Sequence, residues 1–102
     1  INAFTLWKPA AVKITQGTEF LGQFAKTERS LRKFCTRCGG HVMADHPIFG
    51  LVDVYAAALP TLPFEASAHV NYGETVLRIS DGLPKFKDFP AAMGGSETML
   101  GE

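Results

Sequence analysis

Turn-forming residues interrupt this chain every few positions, and the apolar runs between them are short. Brief alternating or apolar runs closed by Gly, Pro, Asn and Asp argue for β structure. "AFTLW" alternates Phe4 and Leu6 on one face with Thr5 and Trp7 on the other. "KPAA" carries Pro9 where a single helical turn can begin. "VKIT" reads as a strand, with Gly17 as the turn residue after it. "EFLGQFA" reads as the next strand, with Phe20 and Phe24 on one face and Gly22 marking a bulge. "KTERS" reads as a polar loop, and "LRKF" and "HVMAD" as strands flanking "CTRCGG".

"IFGLVDVYAAAL" is the longest apolar stretch. Its half from Ile48 to Tyr55 favours a buried strand, while "AAAL" alone passes for helix; Pro60 and Pro63 stop it. "AHVNY" and "TVLRI" are two further strand candidates around a turn at Gly73. Asp81, Gly82 and Pro84 make "SDGLP" a tight bend. The Gly-, Ala- and Ser-rich residues from Pro90 onward predict a loose tail. There are no repeats or heptads, so the expectation is one mainly β domain over residues 1–102.

A chain of 102 residues, 46% hydrophobic and 20% charged, has the composition of one globular domain. Ten basic residues offset ten acidic ones. No global field therefore draws the chain to nucleic acid or to an anionic membrane. No apolar run is long enough to span a bilayer, and no charged-then-apolar leader opens the chain. One cysteine pair is not a disulfide framework, so a reducing, cytoplasmic setting is expected. The sequence opens on Ile1 and goes straight into an apolar strand, which leads us to expect a further segment upstream.

The only two cysteines, Cys35 and Cys38, stand two residues apart in "FCTRCGG". A tight turn between such thiols points both sulfurs at one spot, where backbone N–H groups hold them charged. Gly39 can take the left-handed conformation that closes the turn. Three readings stand side by side: half of a zinc site, a redox pair, or two inert thiols. Redox pairs place the first Cys at a helix start, and Gly39-Gly40 is a poor helix opening. Zinc wants four ligands. Of the three histidines, His41 leaves the knuckle with its strand and reads as structural. His46, before Pro47, reads as exposed surface, and His69 as a packed, hydrogen-bonded residue.

With the last third of the chain the pattern sharpens. "FCTRCGGHV", "AHVNY", "SDGLPKFKDFP" and "GGSETML", preceded by "AFTLW" and "VKITQGTEFLGQF", together resemble the glutathione-dependent formaldehyde-activating enzyme family, also called the centromere protein V family. The resemblance runs in order over nearly the whole chain. It implies an Mss4-like fold of coiled antiparallel β-sheets around zinc, with a zinc-knuckle hairpin and few helical turns. It also implies zinc as cofactor and carbon–sulfur lyase chemistry on glutathione–aldehyde adducts of the S-hydroxymethylglutathione type. Cys35 and Cys38 match the later C-x-x-C of the family's structural four-sulfur site. The family's N-terminal C-x-C and its C-x-C-x-x-C catalytic group have no counterpart here. The resemblance therefore assigns no catalytic or substrate-binding residue in this chain. A half-liganded site leaves zinc weak or absent unless a histidine, water or a neighbouring chain completes it. The partner implied is glutathione or its adducts, with homo-oligomers left open; the alternative is a non-catalytic Mss4-like zinc-binding or interaction module.

Arg29, Arg32, Lys33 and Arg37 form the densest basic patch. A solvated strand face is its default reading, and carboxylate binding the rarer one. Lys85 and Lys87 carry the same two readings. Trp7, Phe20, Phe24, Phe34, Phe49 and Tyr55 read as core rather than as a base-stacking platform. Asp53 reads as the solvent side of its strand, and Asp81 as part of the bend.

Overall fold

The computed structural model describes residues 1–101. The chain forms two compact units, Ile1–Pro63 and Phe64–Glu102. The first is built on a five-stranded antiparallel sheet: β1 (Phe4–Trp7), β2 (Leu21–Thr27), β3 (Ser30–Cys35), β4 (His41–His46) and β5 (Leu51–Tyr55), in the order β1-β5-β4-β3-β2. Strands of four to seven residues match the short runs between turn signals.

Alternation sets the core. Val52 and Val54 of β5 and Met43 of β4 are buried together on one face, with Trp7, Val12, Val42 and Leu59 packed against them. Met43 stands opposite Val54, and Trp7 opposite Val52, so three strands supply one apolar layer. The β3–β4 register shifts between Lys33 and Phe34, beside Val42. That bulge lets neighbouring Val42 and Met43 both reach the cluster, which strict alternation forbids.

Several expectations change. "VKIT" is not a strand. After the 3-10 turn Pro9–Ala11, Val12 packs on the cluster and Ile14 lines a cavity, so the segment's apolar side covers the sheet rather than pairing within it. Phe20 ends a second 3-10 turn, Thr18–Phe20, entered through Gly17 in the left-handed region. It therefore does not share a strand face with Phe24. Gly22 pairs regularly with Phe34 and is not the bulge. A Cβ there would meet the Phe34 ring at 2.8 Å, so the glycine is needed for ring packing. Ile48–Phe49 form the β4–β5 turn instead of a strand, and Phe24 and Phe49, each 56% exposed, are not core. "AAAL" gives the 3-10 turn Ala56–Ala58.

The second unit has no extended strand among the described residues. "AHVNY" is cut by Asn71, whose φ of 54° leads into the 3-10 turn Tyr72–Glu74. In "TVLRI" the Thr75 hydroxyl both donates to Leu77 O and accepts from Leu77 N–H, a local turn that competes with pairing. Isolated bridges join His69 to Lys85 and Phe86 to Met99. The bend at Gly82 is as expected, with φ at 77°. The tail is fixed rather than loose: Ser96 bonds Asp88 through its N–H and hydroxyl, Lys87 N–H donates to Thr98 O, and Leu100 N–H to Lys85 O.

Candidate metal site

Cys35 closes β3 and Cys38 lies in the turn that returns the chain to β4. The turn is locked from both ends. Gly39 N–H donates to Cys35 O at 2.7 Å, and Cys35 N–H to Gly40 O at 2.8 Å. Gly39 has φ of 76°, a conformation few side chains tolerate. At the centre of the turn, Thr36 N–H and the Thr36 hydroxyl both donate to Phe20 O, at 2.7 and 2.8 Å.

The sulfurs are served by donors. Around the Cys35 sulfur are the backbone N–H groups of Cys38 and Arg37, the Cys38 thiol and the Arg37 charge. These hold the Cys35 thiol below the usual thiol range, the Cys38 N–H contributing most. Gly40 N–H in turn donates to Cys38 Sγ at 3.4 Å. Both cysteines are free thiols; Cys35 is half-buried and Cys38 exposed. The turn therefore favours the thiolate of Cys35. Depressed thiols serve metal ligation and redox chemistry alike. However, Cys35 ends a strand, so the helix terminus that activates thioredoxin-like pairs is not its setting.

A cavity of about 230 Å³ adjoins the pair, lined by Ile14, Phe20, Leu21, Cys35, Val42 and Met43 among others. Its walls are predominantly apolar. The Arg37 guanidinium lies over the Phe20 ring, 5.1 Å from its centroid.

Cys35 and Cys38 are of the ligand type that a tetrahedral thiolate site uses, and would supply two of its four ligands. Among the described residues no group of three His, Cys, Asp or Glu side chains is placed to hold a metal. His41 is exposed at the start of β4, its ring 6.2 Å from that of Tyr55. His46 is half-buried rather than surface, with Nε2 2.9 Å from Asp53 Oδ2. Asp53 is correspondingly half-buried on the face opposite Val52 and Val54. Its Oδ1 is shielded from solvent without a hydrogen-bond partner among the described residues.

The basic patch divides. Lys33 pairs with Asp45 at 2.8 Å, diagonal neighbours across β3 and β4, and Arg37 stacks on Phe20. Arg29 and Arg32 are exposed.

The densest polar cluster lies in the second unit. Lys85, read from sequence as surface or substrate contact, is 1% exposed. Its Nζ donates to Asp81 Oδ1 at 2.8 Å and to Leu83 O at 3.0 Å. Asp81 Oδ2 meets His69 Nε2 at 2.6 Å, which bears out a hydrogen-bonded His69. The Lys85 ammonium, then the His69 ring, then Leu83 N–H hold the Asp81 carboxyl well below the usual carboxylate range. The Tyr72 ring packs beside this cluster, its centroid 5.8 Å from Lys85 Nζ and 5.9 Å from that of His69. The available signal was the i, i+4 spacing of Asp81 and Lys85 across a bend. Among the described residues no helix is long and apolar enough to cross a membrane. No family model, curated protein or solved structure matches this chain.

Proposed function

We propose that this chain is a zinc-binding β-protein of the glutathione-dependent formaldehyde-activating kind, with Cys35 and Cys38 as two thiolate ligands of a structural site. The observation that carries this is the closed turn: Gly39 N–H donates to Cys35 O, Cys35 N–H to Gly40 O, and Gly40 N–H to Cys38 Sγ. A donor such as Gly40 N–H spreads the charge of a bound thiolate, and the left-handed Gly39 closes the turn between the two thiols. The resemblance along "FCTRCGG" and "SDGLPKF" gives the reaction class: making or breaking the carbon–sulfur bond of a glutathione–aldehyde adduct.

Bound zinc acts in such chemistry as a Lewis acid toward a carbonyl or hydroxyl oxygen. Exposed Arg29 and Arg32 are suited to the carboxylates of a glutathione moiety, whereas Lys33 is already engaged by Asp45. No catalytic role falls to Cys35 or Cys38, whose part is structural.

The second reading, a non-catalytic Mss4-like zinc module, draws support from the incomplete ligand set among the described residues. Metal analysis of the purified, reduced chain, joined to a lyase assay with glutathione and formaldehyde, separates the two. Zinc retained by wild type and lost in Cys35→Ser and Cys38→Ser supports the metal site. Turnover in addition supports the lyase; zinc without turnover supports the module. Equal metal content in wild type and both variants sinks both.

A further inference from the structure

We propose that His69, oriented by Asp81, is a proton-transfer residue for the carbon–sulfur chemistry, with Arg78 beside it as the anchor for a substrate carboxylate. This rests on the lyase reading and goes beyond it by placing the base in the second unit. Asp81 Oδ1 accepts from the Lys85 ammonium at 2.8 Å and from Leu83 N–H at 3.0 Å. A carboxylate so held has only lone pairs to offer, so at Oδ2, 2.6 Å away, His69 donates through Nε2–H. In the neutral ring the lone pair then falls on Nδ1.

That nitrogen is open to a substrate. Nδ1 carries no hydrogen bond among the described residues, and the one solvent-shielded side-chain atom without a partner there is Asp53 Oδ1, so Nδ1 reaches water. The His69 side chain is 20% exposed. Asp81 fixes the ring and offsets the charge it gains on taking a proton, and the buried Lys85 fixes Asp81. Tyr72, also buried, is the floor shared by both functional groups. Its ring centroid lies 5.9 Å from that of His69 and 5.7 Å from Arg78 Cζ. The Tyr72 hydroxyl accepts from Ile79 N–H at 2.8 Å, which pins the segment next to Arg78. Arg78 is exposed and makes no ion pair among the described residues, so its guanidinium can take a carboxylate of the glutathione moiety.

In cleavage, Nδ1 takes the hydroxyl proton of the adduct. The O–H pair becomes the carbonyl bond, the carbon–sulfur pair leaves on sulfur, and the thiolate takes a proton from the imidazolium or from water. Aldehyde and thiol are released with no change of oxidation state. Addition runs the same steps in reverse.

The test is turnover of S-hydroxymethylglutathione, formed from glutathione and formaldehyde, by the reduced chain across pH, joined to nitrogen NMR of the imidazole rings. Wild type should show Nε2 protonated and Nδ1 bare, with kcat/KM rising along the titration of His69 seen by NMR. His69→Gln, which keeps a donor for Asp81, should lower kcat about hundredfold. Arg78→Gln should raise KM about tenfold, and an unchanged KM overturns the anchor. Turnover undiminished in His69→Gln overturns the base and leaves the lyase reading standing. A ring protonated at Nδ1 and bare at Nε2, or a pH limb displaced from the His69 titration, overturns it in wild type alone. Absence of turnover in wild type overturns both the base and the lyase reading beneath it.

Discussion

Lys85 Nζ sits 2.8 Å from Asp81 Oδ1, joining a 1% exposed lysine to a carboxylate four residues earlier. The bend at Gly82 and Pro84 lets these side chains meet without a helix. Lys85 also bridges to His69 through the backbone, so one residue ties two segments of the second unit. Lys85→Ala should lower stability by about 2–4 kcal/mol, through lost packing of the stem and lost hydrogen bonds. Lys85→Met, which keeps the stem, should lose about half as much. Urea unfolding of the two variants checks the order; equal loss would assign the effect to charge alone.

Acid should release this cluster. The Asp81 carboxyl is held low by Lys85, His69 and Leu83 N–H, and Asp88 is lowered by N–H groups of Phe89 and Ser96 and the Ser96 hydroxyl. A carboxyl with a depressed folded pKa adds stability above its unfolded value, roughly 4, and loses it as pH falls toward the folded one. Stability should therefore decline below about pH 4, and Asp81→Asn should flatten that decline. Acid unfolding curves that stay parallel in the two proteins would contradict the assignment.

Two glycines should differ sharply in their tolerance of a methyl group. A Cβ on Gly95 would lie 2.0 Å from the Phe89 carbonyl oxygen, which belongs to the backbone and cannot swing aside. A Cβ on Gly22 meets side-chain atoms of Phe34 and Thr36 at 2.8 and 2.9 Å, which can shift. Gly22→Ala should cost about 1–2 kcal/mol and Gly95→Ala more. Thermal melts of both variants test the ranking.

The left-handed Gly39 should matter to metal affinity more than its exposure suggests. Gly39→Ala strains the turn by about 1 kcal/mol, and loss of the Gly39 N–H to Cys35 O geometry should weaken zinc about fivefold. Competition against a chromophoric chelator measures it. An unchanged affinity would mean the turn does not organise the sulfurs.

Thiol reactivity gives a metal-free check on the same turn. In Cys38→Ser, alkylation of Cys35 should show a pH midpoint below the ordinary thiol value of about 8.5. Because backbone donors outweigh the Arg37 charge, adding Arg37→Ala should move that midpoint only slightly. A large upward move would make the guanidinium the main cause.

Four of the strands were legible in sequence because their alternation or apolar runs face the Met43–Val52–Val54 layer or flank the cysteines. The fifth, β2, was legible from Leu21 onward but not at Phe20, since the left-handed Gly17 starts a 3-10 turn that propensity does not announce. "AHVNY" and "TVLRI" failed for local reasons: a left-handed Asn71 and a Thr75 hydroxyl that turns its own backbone. The cysteine turn was readable because Cys-x-x-Cys-Gly encodes its own geometry. Lys85 was not, because burial of a lysine depends on partners brought from His69 and Asp81, and nothing in a lysine's own neighbourhood marks it for the interior.

The Phe20 carbonyl accepts both the amide and the hydroxyl of Thr36. One oxygen thus acts as a pivot between the residue preceding β2 and the loop carrying the thiols. The loop that carries the thiols is thus tied to Phe20 by Thr36 and by the Arg37 guanidinium over the Phe20 ring, in addition to the strand pairing. The carbonyl carbon resonance of Phe20 should therefore shift when the cysteines are alkylated, at a position outside the turn that carries them.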